Sequence, residues 1–156
     1  MKLHALILTS ALCLTLTACT SDEGMLKKQA IEVGTAKFNE IIQKEGEESL
    51  GNSEWLRQAY GEFIHNRSEV EVEEVKFQGE KLATVSVVVT TYPTKLRRTL
   101  LGIASKVDAS KSRRFNFSEA VSLVAQQTGQ KSEPEKQPLT VLKFSKSSDK
   151  WILDNP

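Results

Sequence analysis

The apolar residues change their period at Ser68, and this change limits the chain to folds in which helices precede strands and pack on them. Before it, Leu26, Ala30, Val33, Phe38, Ile41 and Ile42 recur at helical spacing, which predicts an amphipathic helix over 25–44. Residues 45–51 read as an acidic, glycine-bracketed turn. Asn52 or Ser53 then caps a second helix whose stripe is Trp55, Leu56, Ala59, Tyr60, Phe63 and Ile64. After Ser68, Val70 and Val72 alternate with glutamates, the phase slips at Glu73-Glu74, and Val75 and Phe77 resume it. A bulge at Glu73-Glu74 accounts for the slip. A turn at Gly79-Glu80 leads into 82–92, the most β-prone segment, with Ala83, Val85, Val87 and Val89 on one face.

Pro93 ends that strand. A helix over 96–106, a polar and basic loop over 105–115, and a helix over 119–128 capped by Ser118 and closed by Gly129 follow. Residues 130–138 read as a connector, and the chain closes on a hairpin with strands over 139–146 and 151–154 around Ser147-Ser148-Asp149. The expected fold is therefore α+β: an N-terminal helical hairpin on a curved antiparallel sheet, with a helical, basic insertion over 94–138 between two β-hairpins. In its element order, and in the closing strand Lys150-Trp151-Ile152 after a charged turn, the chain resembles small bacterial lipoproteins of the cystatin-like, nuclear-transport-factor-like superfamily. That fold serves isomerases, hydrolases, binding modules and oligomerisation domains alike, so the resemblance implies a shape and no single activity.

The first residues point to a compartment. Lys2 precedes an apolar run from Ala5 to Leu16, twelve residues where a membrane-crossing helix needs about 20, so the segment reads as a signal peptide. Leu16-Thr17-Ala18-Cys19 resembles the lipobox of bacterial lipoproteins. The resemblance implies cleavage between Ala18 and Cys19, acyl chains on the Cys19 sulfur and on the new amino terminus, and membrane attachment through them. Each buried methylene adds about 0.8 kcal/mol, so several chains on one residue hold a domain at a bilayer without a transmembrane helix. Thr20 follows where inner-membrane members carry Asp, which implies an outer-membrane anchor facing the periplasm. Residues 1–18 are then the leader, 19–24 a lipidated tether and 25–156 one α+β periplasmic domain.

Charge and cysteine content exclude several chemistries. Without Lys2 the chain carries 20 basic and 20 acidic residues, and no global field selects nucleic acid. The halves differ: residues 19–80 hold 7 basic and 14 acidic residues, and 81–156 hold 13 and 6. Cys13 leaves with the leader and Cys19 is acylated, so neither a disulfide nor a thiol nucleophile is expected.

Residue type and spacing mark several candidate sites. His65, the one histidine after cleavage, falls at a helix end, where an imidazole favours the negative pole; a general-base role is the competing reading. The carboxylates Glu45, Glu47 and Glu48, and Glu69, Glu71, Glu73 and Glu74, read as solvated surfaces, with a weak divalent-cation patch as the minor alternative. Lys95, Arg97, Arg98, Lys106, Lys111, Arg113 and Arg114 form a basic stretch answered by Asp108 alone, suited to an anionic partner or to a soluble loop balancing the acidic half. Trp55, Tyr60, Phe63 and Trp151 are candidates for a pocket or for core. No phosphate-binding glycine loop, nucleophile elbow or Cys-x-x-Cys is present, and no metal or cofactor is expected.

The expected function is a lipid-anchored, non-catalytic binding or scaffolding module for an envelope protein, lipopolysaccharide or peptidoglycan. The alternatives are carriage of a small apolar ligand between sheet and helices, and an acid/base enzyme of that fold.

Overall fold

The structure is a computed structural model and describes residues 21–107 and 114–154. In chain order it comprises α1 (Asp22–Leu50), α2 (Glu54–His65), β1 (Glu69–Gln78), β2 (Leu82–Thr91), α3 (Thr94–Ala104), α4 (Phe117–Thr128), β3 (Glu135–Ser147) and β4 (Lys150–Leu153). The strands form an open antiparallel sheet in the order β1-β2-β3-β4, so the expected α+β arrangement is the one observed. Residues 1–20, including Ala18 and Cys19, lie outside the described residues.

Helix α1 differs most from expectation. It begins at Asp22, with the Ser21 hydroxyl accepting from Gly24 N–H at 3.2 Å, so the expected tether is already helical from Asp22. It also runs through the expected turn to Leu50. The reason lies in its buried stripe, Leu26, Ala30, Gly34, Phe38, Ile42, Gly46 and Leu50, an unbroken series at intervals of four. Each step of four advances the face by about 40° on a 3.6-residue helix, so the stripe winds around α1. Its first part (Leu26, Ala30) packs on the sheet beside Val85, Val87, Leu142 and Phe144. Its last part (Phe38, Ile42, Leu50) packs with α2, α3 and α4. Gly46 is thus a packing position and not a breaker: a Cβ there would meet the Tyr60 ring at 3.7 Å.

The sheet follows its sequence pattern closely. Ala83, Val85, Val87, Val89 and Thr91 of β2 all turn to the helices and are buried. The expected bulge in β1 is present, since pairing with β2 shifts between Val72 and Glu74. A second shift lies across from it, where Val87 pairs Thr140 and Val88 pairs Pro138, leaving Leu139 as the extra residue in β3. Leu139 reaches both apolar clusters of the core, as does Val70. β3 therefore begins at Glu135, inside the segment read as connector. Around Pro138 the strand pairs with β2 alone, beyond the reach of β4, and there a strand tolerates a proline without a donor. The closing turn has Ser148 and Asp149 at φ 47° and 62°, the two left-handed positions of a tight hairpin.

Helices α4 and α3 both begin earlier than their sequence patterns predict. Asn116, not Ser118, caps α4: its Oδ1 accepts from Ser118 and Glu119 N–H at 2.9 and 3.4 Å. Gly129 closes it at φ 67° as expected. Helix α3 starts two residues early, directly after Pro93.

Gly34 and Gly102 make a paired test. A Cβ at Gly34 would lie 2.7 Å from Val87 Cγ1 and 3.1 Å from Val70 Cγ1, whereas at Gly102 it meets nothing. Gly34→Ala should lower stability by about 1–2 kcal/mol, because overpacking outweighs the gain in helix propensity. Gly102→Ala should raise it by up to about 1 kcal/mol. Urea unfolding of both variants reads the two signs.

Candidate functional site

The basic stretch does not act as one surface. Arg97 is 4% exposed, and its guanidinium grips Glu45 with two bonds, Nε–H to Oε2 at 3.0 Å and Nη2–H to Oε1 at 2.8 Å. Nη1–H donates to the Tyr92 carbonyl at 2.7 Å. The Tyr60 hydroxyl donates to Glu45 Oε2 at 2.7 Å. Burial works against the Arg97 cation, but the adjacent Glu45 carboxylate more than offsets it and the net direction is upward. Burial, with the Glu45 charge behind it, pushes the Tyr60 phenol well above its ordinary 10.0. Arg97 is therefore not offered to an anionic partner, and Glu45 does not belong to a solvated acidic turn; together they tie α1, α2, α3 and the end of β2. Lys95 and Arg98 stand exposed on α3, Arg114 is exposed before α4, and Lys111 and Arg113 lie outside the described residues.

The four aromatic candidates do not share a pocket either. Tyr60 and Phe63 are core residues of the helical cluster, and Trp151 belongs to the sheet cluster beneath α1's first turns. Trp55 alone keeps a large open surface, at 37% exposure.

Trp55 instead rims a shallow depression of about 460 Å3 between α2 and the segment leading into α4, whose other walls include Phe63, Arg67, Arg114, Phe115 and Phe117. Phe117 joins Phe63 by stacking at 5.7 Å and Phe115 edge-on at 4.8 Å, so the floor is a run of touching rings. The Arg67 guanidinium lies over the Phe63 ring at 4.6 Å, and its Nη2–H donates to Ser118 Oγ at 3.0 Å. With a longer contact to the Phe63 carbonyl, two of its five donors are engaged. Glu62 is the acid at the rim, and its carboxylate accepts from Gln58 at 2.9 Å. Arg114 and Phe115 belong to the basic segment that the sequence marks. Arg67 was not among the sequence candidates, although its spacing of four from Phe63 is the signal that places a cation over a ring at a helix end.

The remaining candidates sit apart from this depression. His65 is exposed at the end of α2, edge-on to Phe38 at 5.9 Å, and borders an open polar groove of about 540 Å3 between α1 and α2. On β1, Glu71 and Glu74 are engaged by Lys136 at 2.7 Å and Lys76 at 2.8 Å. Among the described residues no group of three His, Cys, Asp or Glu side chains converges as metal ligands would, and no helix is long and apolar enough to cross a membrane. The opening between the sheet and α1 and α3 holds about 260 Å3, with Phe38, Val89, Leu139 and the Glu45–Arg97 pair on its walls.

The buried pair supports two expected outcomes. Glu45→Gln leaves the Arg97 charge without a counter-ion and should cost about 3 kcal/mol in urea unfolding. Tyr60→Phe should cost about 1–2 kcal/mol near neutral pH, the worth of a hydroxyl bonded to a carboxylate. Because the folded phenol titrates above 10.0, its contribution is complete below that pH and is lost above it. The stability gap between the parent and Tyr60→Phe should thus narrow as pH rises through 10.

Comparison with known proteins leaves this geometry to speak for itself: no family model matches the chain, and neither a curated protein nor a solved structure matches it.

Proposed function

We propose that the chain is a lipid-anchored protein of the bacterial envelope, attached to the outer membrane through acyl chains on Cys19. It faces the periplasm and works as a non-catalytic module that binds an anionic partner, a protein or a cell-wall component, in the Trp55–Arg67–Arg114 depression. The observation that carries this reading is the arrangement of Arg67 on the Phe63 ring beside an exposed Trp55 and Arg114. An indole and an arginine held by stacking lose little side-chain entropy on binding, which is why Trp and Arg dominate the energetics of recognition surfaces. The depression is open and shallow, suited to the edge of a larger partner. The apolar-carrier reading finds less support, because Tyr60 and Phe63 fill the space between the helices, and the opening beside the sheet is below the roughly 300–1,000 Å3 of ligand pockets and has an ion pair on its wall.

A photoreactive residue at position 55, introduced in intact cells, tests the reading, with the same probe at Val141 on the opposite side of the sheet as control. The expected result is one discrete adduct from position 55 and none from 141, weakened roughly tenfold by Arg67→Glu or by Arg114→Glu, in line with the loss of one anchor contact. Arg114→Glu touches only an exposed side chain, so loss of folding does not confuse the outcome. An adduct of undiminished yield in both variants removes the basic groups from recognition, and no adduct from position 55 removes the depression.

A further inference from the structure

We infer that the end of the domain carrying the start of α1 and the two hairpin turns is a docking surface for the lipid bilayer itself. The inference rests on the reading of Cys19 as the anchor. Two residues of chain reach from Cys19 to Ser21, at most about 7 Å of backbone, and Ser21 caps α1. Whatever holds Cys19 therefore holds this end of the fold. Lys146 joins the parts: its Nζ donates to Asp22 Oδ2 at 2.8 Å, and its backbone N–H donates to the Lys81 carbonyl at 2.8 Å. Helix start, β1–β2 turn and β3–β4 turn thus form one pole.

Three large apolar side chains are exposed at this pole: Phe77 at 45%, Leu82 at 47% and Ile152 at 52%. Leu82 and Ile152 both lie opposite Ser145, from β2 and β4 respectively, and so flank it on the sheet face that the helices leave uncovered. Phe77 lies at 5.8 Å from Trp151 on the wall of an open cleft of about 570 Å3. The cleft interleaves Lys81 and Lys146 with Asp22, Glu80 and Asp149. Mixed charge of this kind fits zwitterionic headgroups, which offer a phosphate to the lysines and an ammonium to the carboxylates. Apolar side chains then reach the acyl boundary while the lysine stems extend along it. The acidic end of β1, at Glu69 and Glu71, lies eight or so residues away along the strand, about 25 Å from this pole. Helix α1 places its other end, and Trp55 just beyond it, about 40 Å away.

The test uses the full chain, acylated in cells and reconstituted into phosphatidylcholine vesicles. The mass of the Cys19 peptide is read first; an unacylated Cys19 overturns the anchor and this inference with it, and is recorded separately from the docking result. A polarity-sensitive dye is then placed through Leu82→Cys, Ile152→Cys or, at the far end, Glu54→Cys. The expected result is a blue shift and at least about twofold quenching by brominated lipid at positions 82 and 152 and neither at 54, unchanged in about 0.5 M salt because burial and not net charge drives the contact. Leu82→Glu should remove the signal from a dye at 152 while the chain still floats with the vesicles. Dyes at 82 and 152 that stay in water on anchored protein overturn the inference. So does a signal that needs no lipid and grows with protein concentration, which assigns the patch to a second copy of the chain.

Discussion

Everything else in the fold depends on a single helix serving two different neighbours. An α-helix with a straight stripe can dock on one surface only; a stripe at strict intervals of four turns as it climbs, so α1 lies on the sheet at Leu26 and Ala30 and on α2 and α3 at Phe38, Ile42 and Leu50. Two positions of the stripe are glycines, Gly34 against Val87 and Gly46 against Tyr60. A side chain at Gly34 would push the rod off the sheet, whereas a Cβ at Gly46 would come into ordinary contact with the Tyr60 ring. Because the same rod touches both clusters, sheet and helices hold their relative positions without a disulfide.

The Glu45–Arg97 pair locks the upper half of that arrangement. It forms only because α1 continues past residue 44, which puts Glu45 opposite α3 and under the Tyr60 hydroxyl. A buried ion pair contributes less net stability than its distances suggest, since both ions are desolvated. With Arg97 also bound to the Tyr92 carbonyl, the pair joins α3 both to α1 and to the end of β2.

Much of this was legible in the sequence, and the failures have physical causes. Period-two alternation marked β1 and β2, and the slip at Glu73-Glu74 located the bulge to that pair, because a strand with one buried face cannot change phase without one. Gly129 and the Ser148-Asp149 turn were visible for similar local reasons. By contrast, Gly46 looks like a breaker until the Tyr60 ring is in place, and Arg97 looks like its neighbours Arg98 and Lys95 until its counter-ion arrives from 52 residues away. Pro138 hides the start of β3, since the stretch containing it is bonded to β2 alone. At the candidate site, Arg114 and Phe115 were visible as the end of the basic loop over 105–115, whereas Trp55 and Arg67 joined them only through the packing of α2 beside α4.

These constraints give the molecule two ends joined by one long helix, one beside the proposed anchor and one presenting the aromatic and basic depression proposed as the binding surface. The most direct test of that account is native-state hydrogen exchange along α1. If the helix is one rod docked on both surfaces, the amides around Leu26–Ala30 and those around Ile42–Leu50 should exchange through one shared opening with the same free energy. If Gly46 to Leu50 exchange orders of magnitude faster than Ala30, in a separate step, α1 is two segments and the account is contradicted.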